Sequence, residues 1–299
     1  MLSSATRVPV GISPPAARPL EAGPGQLYQV ELQTEQVLGN WTSTNTVTMQ
    51  LELVRQPLAD GQRCTVLLKQ FGQTNPEGLH ALAADVARLR QRLVFDIDAF
   101  GAIVGVANAP ELQAQFAALE SFLRKKYRDS ALITPAVLDN VGQVLADGAH
   151  LARVLAEAPE YALLFPDLGH RTFSAQPVPH RPRRLPQVLG AVDVPLQTRA
   201  WAVPAPAGVA IAICVEGWPD PEHYCPDEMR QAVRTLSGRY DATAELLVQH
   251  LERYEYSATS QLLSAARFTT ATIAGVFSSK TVATLLPAAP AEQLLPSTF

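Results

Sequence analysis

The chain has 299 residues, of which 47% are hydrophobic and 17% charged, and its formal net charge is -4 from 24 basic and 28 acidic residues. This composition excludes a disordered chain, the weak negative charge disfavours nucleic acid as a partner, and no run of about 18 apolar residues is present to span a bilayer. We therefore expect a globular, soluble protein without a transmembrane segment, and the lack of a signal-like apolar stretch near the start predicts the cytoplasm.

Composition divides the chain into five segments. Residues 1–26 and 287–299 are rich in Pro, Ala, Gly and Ser without periodicity, which predicts flexible tails. Residues 159–190 contain six prolines and are interpreted as a connection that is neither a regular helix nor a central strand. This leaves a β-meander with helices over residues 27–158 and a second α+β half over residues 191–286.

The first half begins with alternation of apolar and polar residues. Residues 28–32, 47–53 and 64–71 each alternate in this way, which predicts three half-exposed strands. Because the connections between them are short, the strands are expected to form an antiparallel meander.

Three helices are predicted next, each opened by a residue type that caps helices. Asn75 precedes the first helix, Asn108 the second, and Thr134 a third that extends to Val154. Residues 93–106 lie between the first two helices and are typical of a hairpin.

The second half repeats strands before a helix. Residues 192–196 and 209–215 alternate like strands, and residues 227–236 have the spacing of a helix. Residues 241–256 are ambiguous and are interpreted as a helix. Residues 268–285 predict a final hairpin, with Phe268 and Thr270 on its repeating face.

The predicted fold class is therefore α+β. It consists of an antiparallel β-sheet in both halves, with a helical layer over about residues 76–156 packed on it. The similar order of elements in the two halves also suggests an internal duplication.

The sharpest catalytic pattern is an apolar strand that ends in two acids. Residues 93–98 end in Asp96, Ile97 and Asp98, and this run resembles the nucleophile motif of haloacid-dehalogenase-type phosphotransferases. The resemblance implies that two carboxylates would attack phosphorus and protonate the leaving group, with magnesium between them. Ala99 and Phe100 depart from the residues of that family. Since Asp is common at turns, we expect Asp98 to start a turn and predict no catalytic residue.

Residue types that can bind a metal are concentrated near the end of the second-half strands, but their spacing is not that of a metal site. The cysteines are Cys64, Cys214 and Cys225, an odd number that matches neither a zinc nor a redox pattern. Nearby acids and one histidine suit a surface loop. We predict no disulfide framework, no metal and no cofactor. The residues of this cluster are Cys214, Glu216, Asp220, Glu222, His223, Cys225 and Asp227.

The one basic concentration of the chain lies in the Pro-rich connection. The planar guanidinium group of arginine binds carboxylate and phosphate groups well. Loops between packed halves also often border clefts. A solvated loop is the alternative interpretation. The predicted ligand-binding residues are His170, Arg171, His180, Arg181, Arg183 and Arg184.

These patterns lead to three hypotheses of function. The first is a non-catalytic binding or interaction protein with a small anionic ligand or a protein partner. The second is a hydrolase or phosphotransferase that uses Asp96 and Asp98. The third is a carrier of an apolar ligand, in which a curved sheet surrounds a cavity.

Overall fold

The structure of the protein is a computed structural model that describes residues 25–189, 192–237 and 245–288. Within these ranges the chain forms eleven β-strands and six α-helices. The strands are β1 (Gln26–Leu38), β2 (Trp41–Leu58), β3 (Gly61–Gln73), β4 (Arg92–Asp98), β5 (Ile103–Val106), β6 (Val178–Leu189), β7 (Val192–Val203), β8 (Ile211–Pro219), β9 (Leu246–Tyr256), β10 (Leu262–Ile273) and β11 (Phe277–Pro287). The helices are α1 (Gly78–Ala87), α2 (Ala109–Lys126), α3 (Pro135–Ala146), α4 (Gly148–Glu157), α5 (Pro159–Leu164) and α6 (Pro226–Ser237). The two predicted tails lie outside the described residues, except for their inner ends.

All eleven strands belong to one antiparallel sheet. Its order is β5-β4-β3-β2-β1-β11-β10-β9-β8-β7-β6. Strand β1 pairs with β11 from Tyr28 opposite Pro287 to Leu38 opposite Phe277, so the first and last strands are neighbours. The prediction of an antiparallel sheet in each half is therefore wrong. Alternation shows which side chains share a face of a strand, but it does not identify the neighbouring strand.

The predicted helical layer over residues 76–156 is also wrong, because this segment returns to the sheet. Strands β4 and β5 lie inside it and extend the sheet at one edge. The helix expected after Thr134 is divided into α3 and α4 at Asp147, whose carboxylate accepts the N–H groups of Ala149 and His150. None of the described helices combines the length and the apolar character needed to cross a lipid bilayer.

The helix predicted over residues 241–256 is a strand, β9, from Leu246 onward. Its inward-facing Glu252 is fully buried, whereas Leu247 and Leu251 are exposed on the other face. The two leucines have helical spacing, but they do not pack in a core. Pairing with β8 and β10 on both sides determines the structure of this segment instead.

The Pro-rich segment contains the short helix α5 and the edge strand β6. Pro159 lies in the first turn of α5, where a missing N–H costs little. Pro179, Pro182 and Pro186 lie on β6, which pairs only with β7. Proline is tolerated at an edge because one side of the strand makes no ladder hydrogen bonds.

Two apolar cores lie on the inner face of the sheet, which is the face that packs against the helices. The first core joins α1–α5 to ten strands, all except β6, and the second joins α6 to the opposite ends of β6, β7, β10 and β11. Buried members of the first core include Tyr28, Leu51, Phe95, Leu163 and Tyr254. Buried members of the second include Leu185, Val194, Met229, Ile273 and Phe277.

Candidate functional site

A band of polar side chains lies on the inner face between the two apolar cores. Along the inward-facing positions of β9 and of β10, the side chains change from apolar to polar. On β10 the inward-facing side chains then become apolar again. Polar groups removed from water require partners, so each contact in this band has an energetic consequence. We call the band the polar belt and define it by His180, Arg183, His250, Glu252, Arg267 and Thr269.

Glu252 lies at the centre of the polar belt and is fully buried. Its Oε1 accepts hydrogen bonds from Arg183 Nε at 3.3 Å and His250 Nε2 at 3.0 Å. Its Oε2 accepts from Arg183 Nη2 at 3.1 Å and from the Tyr254 hydroxyl at 3.0 Å. A carboxylate offers about four acceptor positions, so the hydrogen-bonding capacity of Glu252 is filled.

Glu252 and Arg183 form a buried ion pair. Burial alone would raise the pKa of Glu252, but Arg183 and His250 outweigh it and hold that pKa well below its ordinary value. Burial would likewise lower the pKa of Arg183, but Glu252 and Tyr254 raise it instead. Both groups are therefore ionised, and their charges cancel.

His250 links Glu252 to the hydroxyl of Thr269. Burial lowers the pKa of His250 against the opposing effect of Glu252, so the imidazole is neutral near pH 7. An ionised carboxylate can only accept, which places the proton of His250 on Nε2. Nδ1 then accepts a hydrogen bond from Thr269 Oγ1 at 2.9 Å. The hydroxyl proton of Thr269 is therefore directed at His250.

Arg267 has no direct partner in the part of the chain that the structure describes. It lies opposite Glu252 on the neighbouring strand and is only 5% exposed. Glu252, however, already accepts four hydrogen bonds from other groups. Burial lowers the pKa of Arg267, although Glu252 and Tyr254 oppose this. The polar belt therefore carries one excess positive charge, and a buried cation without a hydrogen-bonded partner is costly.

Arg267 lines a cleft of about 170 Å³ between the sheet and the helices. The sheet contributes side chains from β1, β10 and β11, while the α4–α5 junction and strand β6 form the walls. The polar residues that line the cleft are Gln36, Glu157, Gln187, Arg267, Thr269, Ser279 and Thr281. A concave site with an apolar lining and few convergent polar groups is the usual form of a small-molecule site.

An irregularity in the edge strand β6 forms one wall of this cleft. The pairing of β6 with β7 shifts between Leu185 and Leu189, so the intervening residues leave the ladder. Gln187 has a positive φ of 52°, and its N–H donates to Asp193 Oδ1 at 2.8 Å. The same aspartate accepts a hydrogen bond from Arg184. Bulges at sheet edges commonly redirect side chains in this way.

Glu157 is the last residue of α4 and lines the same cleft. Burial raises its pKa, and the cations of Arg184, Arg153 and Arg267 act in the opposite direction. Glu157 and Arg267 do not approach within the 4.0 Å of an ion pair. The cleft therefore contains a buried cation and a half-buried acid that do not neutralise each other by contact.

The structure separates the six residues predicted as a ligand site. Arg183 and His180 belong to the polar belt, whereas Arg184 pairs with Asp193 at the cleft wall. Neither ring nitrogen of His180 makes a hydrogen bond to a described residue. Burial, with Arg183 and Arg171, lowers the pKa of His180 to about 4, so its ring is neutral near pH 7.

The other three predicted residues lie near Asp167. This buried carboxylate is 3.5 Å from Arg171 and 3.8 Å from Arg181. His170 is exposed and has a positive φ of 52°. The arginines of this segment therefore face acids of the same chain. The ligand-binding role of the six residues stays a prediction.

The two acids of the catalytic pattern have local structural partners. Asp96 accepts a hydrogen bond from Arg63 at 2.8 Å. Asp98 Oδ1 accepts from the backbone N–H groups of Phe100 and Ala102, which closes the β4–β5 turn. The expectation that Asp98 starts a turn is confirmed by these contacts. Neither carboxylate lines the cleft of Arg267.

The cluster that follows β8 is organised around Asp220. Its carboxylate receives hydrogen bonds from Gln197 at 3.0 Å and from the N–H of Glu222 at 3.0 Å, and it lies 2.8 Å from His223 Nδ1. Asp220 raises the pKa of His223, as expected for an adjacent carboxylate. Within the described ranges no group of three or more His, Cys, Asp or Glu side chains is arranged to hold a metal ion.

Sequence reasoning missed Arg267 and Glu157. The predicted final hairpin is present as β10 and β11, but its inward face carries Ala265, Arg267 and Ala271 rather than Phe268 and Thr270. An arginine among small apolar residues on one face of a strand was the available signal. For Glu157 there was no such signal, because a polar residue at a helix end is ordinary.

Comparisons with known proteins assign no family to the chain. No family model matches, and no curated protein matches. Among solved structures, one match is a crystal structure of a Vibrio parahaemolyticus domain that is named for outer membrane lipoprotein sorting. The identity is 10%, the alignment covers 90% of this chain and 88% of that one, and the TM-score is 0.19. A TM-score this low supports no argument about the fold or the function of this protein.

Proposed function

We propose that the protein is a non-catalytic binding protein whose cleft holds a small organic anion against Arg267. The supporting observation is a buried guanidinium that lines a cleft while the carboxylate opposite it on the neighbouring strand, Glu252, is occupied by other donors. An anion in the cleft would supply the missing partner. Planar guanidinium groups bind carboxylates through two parallel hydrogen bonds.

The residues around Arg267 suit such a ligand. Ser279 and Thr281 place hydroxyl groups in the cleft, and Gln36 adds an amide that can donate. These donors are neutral, so they assist an anion without adding a charge. Charge-assisted hydrogen bonds are roughly twice as strong as neutral ones, which makes Arg267 the principal contact.

The apolar-carrier hypothesis has less support. The inner face of the sheet is covered by the first core, in which Phe95 packs against Tyr161 and Phe165. The cleft beside Arg267 has a volume of about 170 Å³, whereas pockets for drug-sized ligands measure roughly 300–1,000 Å³. A large lipid chain would therefore have to displace core side chains.

A second candidate function is ester hydrolysis through Thr269, His250 and Glu252. These groups form a relay with contacts of 2.9 Å and 3.0 Å, in the order of nucleophile, base and acid. Thr269 Oγ1 would add to an acyl carbonyl while its proton passes to His250 Nδ1 and then to the leaving alkoxide, and water would hydrolyse the acyl-threonine. We rank it second because the side chains of His250 and Glu252 are fully buried.

The test of anion binding is calorimetric titration of the protein with sodium butyrate. We expect heat of binding for the wild type and none for Arg267→Met, which keeps the length of the side chain without its charge. The matched control is Arg199→Met on the outer face, where Arg199 pairs with Glu216 at 2.6 Å. Equal binding by wild type and Arg267→Met would contradict the proposal.

The same samples test the second candidate. Hydrolysis of 4-nitrophenyl butyrate would be followed for wild type and Thr269→Val. We expect no difference in rate between the two. A rate that depends on Thr269, with folding unchanged, would favour the hydrolase.

A further inference from the structure

We infer that the ligand class is a short-chain monocarboxylate and that Glu157 makes the cleft reject dianions. The inference rests on the proposed anion site at Arg267. It adds the size of the ligand, the apolar character of its tail and a residue that determines specificity.

The lining of the cleft is divided into polar and apolar parts. Arg267, Ser279 and Thr281 can donate hydrogen bonds to an anionic group. Apolar side chains line the remainder, among them Pro159, Leu185, Pro186, Val188 and Ala271. A ligand that fits both parts has one anionic end and a short hydrocarbon tail, because a fully polar anion such as inorganic phosphate would lose part of its hydration against an apolar wall that offers it no hydrogen bonds.

The volume of the cleft limits the length of that tail. The cleft has a volume of about 170 Å³, below the roughly 300–1,000 Å³ of pockets that hold drug-sized ligands. A carboxylate with a short hydrocarbon tail suits such a small cleft better than one with a long chain. Butyrate therefore represents the ligand class.

Glu157 adds a negative charge to a cleft whose one buried cation is Arg267 within the described residues. A monocarboxylate can place its charge on Arg267 and its tail away from it. A dicarboxylate of similar length must place a second charge in the same small cleft as the half-buried Glu157, where the two like charges repel each other.

The other charged groups near Glu157 do not remove this repulsion. Arg184 is engaged by Asp193, and Arg153 is exposed to solvent. His150 also contributes a small effect on Glu157. The guanidinium of Arg267 would already be neutralised by the first carboxylate of the ligand. A second carboxylate would therefore gain no partner of its own.

The experiment compares butyrate, succinate and inorganic phosphate by calorimetric titration of wild type and Glu157→Gln near pH 7.5. For the wild type we expect butyrate to bind roughly tenfold or more tightly than succinate, a ratio that corresponds to about 1.4 kcal/mol. In Glu157→Gln the ratio should approach one through a gain in succinate affinity, while butyrate affinity changes little. Glu111→Gln is the matched control, because Glu111 is exposed on α2 and pairs with Arg92.

The outcomes separate this inference from the proposed function. If wild type and Glu157→Gln show the same ratio of butyrate to succinate affinity, Glu157 does not determine specificity, although the anion site stands. Tighter binding of phosphate than of butyrate would overturn the ligand class alone. No binding of any of the three anions by the wild type would overturn both the anion site and the inference.

Discussion

The acidic residues of the β4–β5 hairpin and of the polar belt differ in where their hydrogen-bond partners lie. In the hairpin, Asp98 accepts N–H groups two and four residues away, and Asp96 accepts from Arg63 on the adjacent strand. In the polar belt, Glu252 is bound by Arg183, which lies 69 residues earlier and three strands away. The hairpin pairs its charges within one turn or across adjacent strands, whereas the belt depends on a contact between strands that are not neighbours in the sheet.

This difference shows where an unbalanced charge can persist. A turn that is partly exposed can always exchange a lost partner for water. Glu252 and His250 at the centre of the belt cannot do so, and Arg267, the guanidinium that Glu252 does not bind, faces the cleft. Natural proteins violate the rule of paired buried charges mostly at functional sites, where a ligand completes the set.

The largest expected effect is the loss of the charge on Glu252. Glu252→Gln leaves Arg183 and Arg267 as buried cations without a carboxylate, and breaking a buried pair in this way costs about 3–5 kcal/mol. Urea unfolding followed by circular dichroism measures the free energy of unfolding. The double variant Arg183→Met, Glu252→Gln should recover part of the loss, because it also removes the cation left unpaired by the single change. A single variant as stable as wild type would show that the ion pair is not formed.

The pH dependence of stability tests the burial of His180. Its pKa is about 4 in the folded protein, against about 6.5 in an unfolded chain. Between these values only the unfolded chain binds the proton, so the free energy of unfolding falls as pH decreases from 6.5 to 4, by roughly 3 kcal/mol in total. Above pH 6.5 this contribution is constant.

The comparison for this prediction is His180→Leu. Leucine does not titrate, so the loss of stability between pH 6.5 and pH 4 should be smaller in the variant than in wild type. His250 has a pKa shifted in the same direction and leaves some slope in both proteins. Identical slopes in urea unfolding at several pH values would mean that His180 is accessible to protons in the folded state.

A smaller effect is expected at the β4–β5 hairpin. In the double variant Asp96→Asn, Asp98→Asn the amide oxygen at position 98 can still accept the N–H groups of Phe100 and Ala102. We expect a loss of unfolding free energy below about 1 kcal/mol and unchanged affinity for butyrate. Loss of butyrate binding with an intact fold would show that Asp96 and Asp98 take part in function.

The smallest effect is expected for Arg181→Ser. Arg181 is exposed on the edge strand and lies 3.8 Å from Asp167, so its replacement should change the free energy of unfolding by no more than about 0.5 kcal/mol. The matched variant is Arg183→Ser, two residues away, whose side chain is only 16% exposed and pairs with Glu252, so this variant should be far less stable. Equal thermal melting curves for the two variants would contradict the division of this segment into exposed and buried arginines.

Much of the local structure could be predicted from the sequence. Alternation identified the strands of the first half, and Asp98 was recognised as a turn residue. Asn108 marked the start of α2, but its side chain binds the backbone of Val94 and Arg92 and does not cap the helix. The ambiguous segment that forms β9 was assigned to a helix because the exposed Leu247 and Leu251 have helical spacing. Propensity was outweighed there by pairing with two neighbouring strands.

The sequence by itself determined where the chain alternates and turns and where α2 begins, because these properties depend on residues within a few positions of one another. Only the tertiary structure decided that β1 pairs with β11, that Arg183 reaches Glu252, and that Arg267 is left over beside a cleft. Those contacts join positions far apart in the chain, and a residue's charge does not reveal which distant partner will neutralise it. The candidate site arises because Glu252 binds Arg183 and not Arg267, although both arginines lie beside it. This arrangement forms only when the sheet has folded.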